Sequence, residues 1–124
     1  MSRKIRIKDY VCGGCFERPK DCTCGVIPWT LIMIDEKLQY AIRNLNKKGH
    51  ITQACCEGHF DKGKTQYMYI SFRDKHEPPM GWKSDRQNIY YKLDAKTKEG
   101  FIEQQNAGIK LLNTWVENLE NYRR

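Results

Sequence analysis

The chain has 124 residues, the length of one ordinary domain and too short for two independent cores. With 40% hydrophobic and 30% charged residues and no low-complexity run, it has a globular rather than a disordered or fibrous composition. Its formal charge of +7 falls mainly in residues 1–20 and 86–99, which suits a polyanionic partner, either nucleic acid (RNA or DNA) or an acidic protein surface.

The start, Arg3-Lys4-Ile5-Arg6-Ile7-Lys8, alternates apolar and basic residues and predicts a short strand with one wet face. No apolar stretch of signal-peptide type follows it, and the longest apolar run, Leu31-Ile32-Met33-Ile34, is too short to span a bilayer. The expectation is a cytoplasmic protein without a membrane partner. In that reducing compartment, six cysteines point to metal or catalysis rather than to disulfides.

From about Tyr10 to Gly25 the chain is rich in Gly, Pro and charge and carries four cysteines, and Val26 to Trp29 reads as a connector around Pro28. The clearest helix follows. Asp35 stands at an N-cap position, and Leu38, Ala41, Ile42 and Leu45 repeat at i, i+3, i+4, i+7. Lys47 and Lys48 suit its C-terminal end, and Gly49 suits the left-handed residue that closes it.

His50 to Cys56 predicts a short strand, and Thr65 to Phe72 the strongest one, in two alternating apolar and polar sets. Arg73 to Gln87 reads as a loop around Pro78-Pro79, and Asn88 to Leu93 as a further strand. A last helix is predicted from Thr97 to about Tyr122, with Ile102, Ile109, Leu112, Val116 and Leu119 as its apolar stripe.

The four cysteines form C-x2-C-x6-C-x-C: Cys12, Cys15, Cys22 and Cys24. Zinc takes four ligands in a tetrahedron, and a C-x2-C turn brings two thiolates to one edge of it. Gly13 and Gly14 permit the tight backbone. An all-cysteine shell is the pattern of a closed structural Zn²⁺ site, since catalytic zinc keeps a position open. An iron–sulfur cluster and redox chemistry are the alternatives for the same spacing.

Cys55-Cys56-Glu57-Gly58-His59 joins a nucleophile, a carboxylate and an imidazole at the end of a predicted strand. Three readings stay open for it. Cys55, Cys56 and His59, with His50 or His76, form a second metal site, or His59 activates a thiol, or the cysteines are small buried hydrophobes.

The segment Thr52-Gln53-Ala54-Cys55-Cys56-Glu57-Gly58-His59 also resembles the T-T-S-S-C-S-G-R stretch of the tRNA wybutosine-synthesizing protein 3 family. That family methylates a modified guanosine in tRNA with S-adenosylmethionine. Thr52, Cys56 and Gly58 agree, Glu57 and His59 stand where the family has Ser and Arg, and the resemblance runs from Asp35 to His59. It implies a small fold of helices and strands and a link to RNA, without implying methyl transfer. The Cys-Glu-Gly-His run is similar to one in small proteins of phages and low-GC bacteria.

Tyr67, Tyr69, Phe72, Trp82, Tyr90 and Tyr91 lie on or near the strands, with Lys64, Arg73, Lys75, Lys83, Arg86 and Lys92 interleaved. Aromatic rings beside cations on a sheet can stack bases and hold phosphates. One of Tyr67/Met68 and one of Tyr90/Tyr91 are expected to face the core.

These patterns predict a single α+β domain: a small antiparallel or mixed sheet with two helices on one face and a zinc loop over residues 10–25. The leading functional reading is a non-enzymatic zinc-binding regulator of nucleic acid or of a nucleic-acid enzyme. The alternatives are an enzyme acting on tRNA or a nucleotide through Cys56 and His59, and a phage or mobile-element inhibitor of a host protein.

Overall fold

The computed structural model describes residues 10–12 and 31–122. The predicted strand at residues 3–8 and Cys15, Cys22 and Cys24 lie outside the described residues. Cys12 appears only as backbone, in strand β1 (Tyr10–Cys12), which pairs antiparallel with β2 (Leu31–Met33).

The main sheet has four antiparallel strands in the order β3-β4-β6-β5. They are β3 (Thr52–Cys56), β4 (Gln66–Phe72), β5 (Lys83–Asp85) and β6 (Asn88–Leu93). A single 3-10 turn, Glu36–Leu38, leads into helix α1 (Gln39–Lys47), and the long helix α2 (Lys98–Asn118) follows β6. The architecture is α+β, with an antiparallel sheet and two helices. Among the described residues no helix is long and apolar enough to cross a membrane.

The alternation in β4 sets the two faces of the sheet. Met68, Ile70 and Phe72 are fully buried, while Tyr67 and Tyr69 remain exposed on the other side. Ile89 and Leu93 of β6 join the buried set, which closes against Leu38, Ala41, Ile42 and Leu45 of the first helical segment and Phe101, Leu112 and Val116 of α2. As expected, Met68 is the buried member of its pair, and Tyr91 packs against the core.

Two expectations are corrected here. The segment read as one loop, Arg73 to Gln87, contains β5, whose residues Lys83, Ser84 and Asp85 are all exposed. It folds back on β6 through Arg86 and Gln87, with Arg86 at φ +58 in the left-handed region that turn glycines usually fill. Second, Phe72 and Trp82 are not surface aromatics. Both are buried, and Trp82 Nε1 donates to Gly108 O of α2 at 3.1 Å.

α2 is tied at both ends. Thr97 Oγ1 caps its start by accepting from Gly100 N at 3.1 Å. At its far end Lys48 Nζ donates to Val116 O (2.7 Å), Glu117 O (3.2 Å) and Leu119 O (2.8 Å), carbonyls of the helix end and the residue after it. Gly49, at φ +88, closes α1 as predicted.

Beyond α2, His50 and His76 meet with Nδ1 of His50 2.8 Å from Nε2 of His76. Each ring has its other nitrogen committed. His50 Nε2 donates to Glu120 O at 2.6 Å and His76 Nδ1 donates to Asp74 O at 2.8 Å, because carbonyls only accept. Burial pushes the His76 pKa down, against the smaller upward pull of its hydrogen bond to the Asp74 carbonyl. Phe72 stacks on His76 with ring centres 4.0 Å apart, and Tyr122 closes the cluster from the C-terminal side.

The sign of the pH dependence follows. His76 holds its proton more weakly in the folded chain than in the unfolded one, so below the ordinary histidine value of about 6.5 the unfolded state takes up the proton first and stability falls on acidification. The stability that the neutral His76 contributes should be present above about pH 6.5 and be lost below it by up to about 1.4 kcal/mol per pH unit. Urea unfolding from pH 5 to 8 measures this, and in His76→Gln the acid limb should flatten. Parallel profiles for wild type and variant would show that His76 does not carry the pH dependence.

Candidate metal centre and nucleic-acid face

The Cys-Cys-Glu-Gly-His segment is the end of β3 and the turn after it. Register decides what each cysteine does. Cys55 lies opposite Ile70, on the buried side, while Cys56 lies opposite Tyr69, on the exposed side. Burial above all, then the negative charges of Asp35, Cys56 and Glu57, pushes the Cys55 thiol up to about 12. Cys55 therefore stays a neutral thiol packed against the core, the role of a small hydrophobe.

Cys56 and His59 are brought together with Asp35, a residue that sequence reasoning assigned only to capping. Asp35 Oδ or its equivalent, Cys56 Sγ and a His59 ring nitrogen all lie within 4.8 Å of one another. Asp35 does occupy the N-cap position of the 3-10 turn, but its side chain makes no cap bond there. Its Oδ2 instead accepts from Glu57 N at 3.0 Å, and Glu57 Oε2 accepts from Lys37 N at 3.2 Å. This reciprocal pair clamps the start of the helical segment to the end of β3. No sequence signal links residues 22 positions apart in this way.

α2 holds the turn from above. Buried Gln105 donates through Nε2 to Glu57 O (2.9 Å) and to Gly58 O (3.3 Å), and its Oε1 accepts from Lys37 Nζ at 3.0 Å. Gly58 is at φ +81, and a Cβ there would stand 2.6 Å from Leu93 Cδ1. Its amide donates to Cys56 Sγ at 3.4 Å. His50 and His76, the other candidate ligands, pair with each other instead.

The exposed face of the sheet begins at this cluster. Tyr67 and Tyr90 pack edge to face with ring centres 5.7 Å apart. Lys92 is the direct cross-strand neighbour of Tyr67, and Lys83 that of Tyr90, so both lysines share the aromatic face. At the end of the sheet nearest Cys56, an open depression of about 310 Å³ is lined by Lys62, Lys64 and Lys96 with Asp94. Lys64 is drawn partly toward Asp61, an exposed pair at 3.4 Å that contributes little binding energy of its own.

The six predicted cations therefore divide. Lys83 and Lys92 line one depression with Tyr67 and Tyr90, and Lys64 lines the other, with Lys62 and Lys96. Arg73 and Arg86 lie at the opposite end of the strands, where Arg73 N bonds Ile51 O and Arg86 forms the β5–β6 turn, with Lys75 in the following loop. Lys62 and Lys96 were missed, because each lies in a polar turn with no periodicity to orient it.

No known protein family, curated protein or solved structure matches the chain.

Gly58→Ala tests the turn. Alanine in the left-handed region costs about 1–2 kcal/mol, and moving Leu93 aside adds to that. Urea unfolding should show a loss of about 2 kcal/mol or more, whereas a change within about 0.5 kcal/mol would mean that the turn tolerates a side chain.

Proposed function

We propose that this chain is a small, basic, zinc-stabilised regulator that binds nucleic acid on the exposed face of its sheet. One observation carries the reading: Tyr67 and Tyr69, 46% and 38% exposed, stand in a row with Tyr90 on a face that also presents Lys83 and Lys92. A folded sheet gains nothing by leaving large rings in water, whereas unstacked bases gain about 1–3 kcal/mol each from such rings. The neighbouring Lys62, Lys64 and Lys96 continue the cationic track along which a phosphate backbone would run. The face is open and shallow, which suits an unpaired strand more than an enclosed small molecule.

In the same reading Cys12, Cys15, Cys22 and Cys24 hold a structural Zn²⁺ that fixes the N-terminal segment. Metal analysis of a Cys22→Ser/Cys24→Ser variant, expected to lose that ion, checks it.

A second reading is an enzyme working on tRNA or a nucleotide through Cys56 and His59, and the convergence of Asp35 on those two residues favours it over the inhibitor reading.

Binding to single-stranded RNA and DNA oligonucleotides, followed by fluorescence anisotropy across salt concentrations, decides the leading reading. Lys83→Glu/Lys92→Glu should weaken binding at least about tenfold at low salt and lower the salt slope by about 1.4, two phosphate contacts' worth. Tyr67→Ala should weaken binding by about 1–3 kcal/mol while leaving the slope unchanged, because stacking releases no counterions. Arg73→Glu/Arg86→Glu, at the far end of the strands, should change affinity least. Absence of binding to either polymer at low salt defeats the proposal.

A further inference from the structure

The oxygen, sulfur and nitrogen brought together at the end of β3 are chemically unlike one another, and that mixture is informative. A carboxylate, a thiolate and an imidazole share one property, affinity for a borderline-soft divalent cation, and zinc takes all three. In tetrahedral zinc, with bonds of about 2.0–2.3 Å, neighbouring ligand atoms lie about 3.3–3.8 Å apart. The three atoms here lie within 4.8 Å of one another, so closing them on an ion asks for an adjustment of about 1 Å. His59 is the exposed member and the one with room to move.

The two less exposed members are already oriented by amides. Glu57 N holds Asp35 Oδ2, and Gly58 N points at Cys56 Sγ, the N–H to sulfur arrangement that surrounds thiolate ligands in metal sites. Both amides belong to the turn that Gln105 fastens to α2. The turn is thus built rigidly around two of the atoms, while the third approaches from solvent.

The competing use of the same residues is a thiol nucleophile with His59 as its base. In that use Cys56 and His59 would hydrogen-bond once substrate is bound, whereas here, among the described residues, Cys56 Sγ receives the Gly58 amide. The His59 ring, likewise, is hydrogen-bonded to nothing among the described residues. The imidazole thus stands near a thiol and a carboxylate and can turn a ring nitrogen toward an ion between them.

We propose that Asp35, Cys56 and His59 form a second zinc site, distinct from the four N-terminal cysteines and with no fourth ligand among the described residues. Three ligands from the described residues leave the fourth position to water or to a group from a bound partner, in contrast with the closed shell of four thiolates. The site lies where β3 meets the aromatic and basic face, so a group carried by a molecule on that face can reach the ion. The proposal stands on the three side chains alone and holds whether or not the face binds nucleic acid.

Zinc content of the purified full-length chain tests it, alongside cobalt substitution read by visible absorption. Wild type should bind two zinc ions per chain, Asp35→Asn and His59→Gln one each, and Cys22→Ser/Cys24→Ser one. Both single variants keep their shape, since asparagine still accepts from Glu57 N and His59 is exposed; circular dichroism and melting temperature confirm this. Competition with a chromophoric chelator should show the second ion weakened by more than the about 10–100-fold that loss of an outer partner costs. His59→Cys, which restores a ligand, should recover the second ion. Equal zinc in wild type, Asp35→Asn and His59→Gln overturns the proposal, as does a Cys22→Ser/Cys24→Ser variant that binds none. Oligonucleotide binding by His59→Gln, measured in parallel, separates this result from the fate of the nucleic-acid reading.

Discussion

Everything above the sheet depends on how closely α2 can approach it at Gly108. A Cβ at that position would lie 2.5 Å from Met68 Cε and 2.8 Å from Tyr91 Cδ1, so any other residue would have to push both side chains aside for the helix backbone to settle at this distance. Trp82 Nε1 then fixes the register along the helix by donating to the Gly108 carbonyl. The indole is buried, and this bond is what makes its burial tolerable, since an unpaired N–H in the core costs about 1–3 kcal/mol. Glycine in a helix interior gives up about 1 kcal/mol relative to alanine. The contacts of Met68, Tyr91 and Trp82 offset that loss.

With the register fixed, the two ends of α2 fall where they are needed. Gln105 lies one turn before Gly108, over the Glu57–Gly58 peptide, and its amide secures the turn that presents Cys56 and His59. In the other direction Leu112 and Val116 lie one and two turns later, fully buried, and bring the helix end to Lys48. That ammonium gathers three carbonyls and answers the negative end of the helix dipole. The chain then continues to Tyr122, whose amide donates to Lys48 O at 2.8 Å, with Glu120 presented to His50 along the way. One close contact in mid-helix thus positions the candidate site at one end and the histidine pair at the other.

What could be read in the sequence was what depends on local spacing. The helix-period stripe of Leu38, Ala41, Ile42 and Leu45 marks the buried face of α1, and the alternation of Tyr67, Met68, Tyr69 and Ile70 separates the two sides of β4. The predicted start of the last helix at Thr97 coincides with its cap, whose partner, Gly100, is three residues away. What could not be read depends on pairings set by the tertiary fold. Lys83-Ser84-Asp85 carries no apolar residue and is a strand only because β6 offers it an edge. Trp82 looks like a surface ring until its partner, 26 residues on, is known. Asp35 is the sharpest case, since as an N-cap it satisfied every local rule, yet its carboxylate turned to the amide of Glu57 and so toward Cys56.

The division of labour between Cys55 and Cys56 shows how strand geometry creates function from a repeated residue. Adjacent side chains in a strand point to opposite faces, so two identical thiols are sent into opposite environments. The inward one loses its water and is held as a neutral thiol by that loss and by the negative groups around it. The outward one emerges beside a carboxylate and an imidazole at the rim of the open face. A one-residue slip of β3 against β4 would exchange them, burying Cys56 opposite Ile70 and leaving the cluster without its sulfur. Between Thr52 and Ala54 the pairing of β3 with β4 shifts at a bulge, so the register that separates the cysteines is set within the strand itself. Downstream, Gly58 and the Gln105 clamp fix the turn that follows, and the strand can slip in neither direction without breaking one of these two devices.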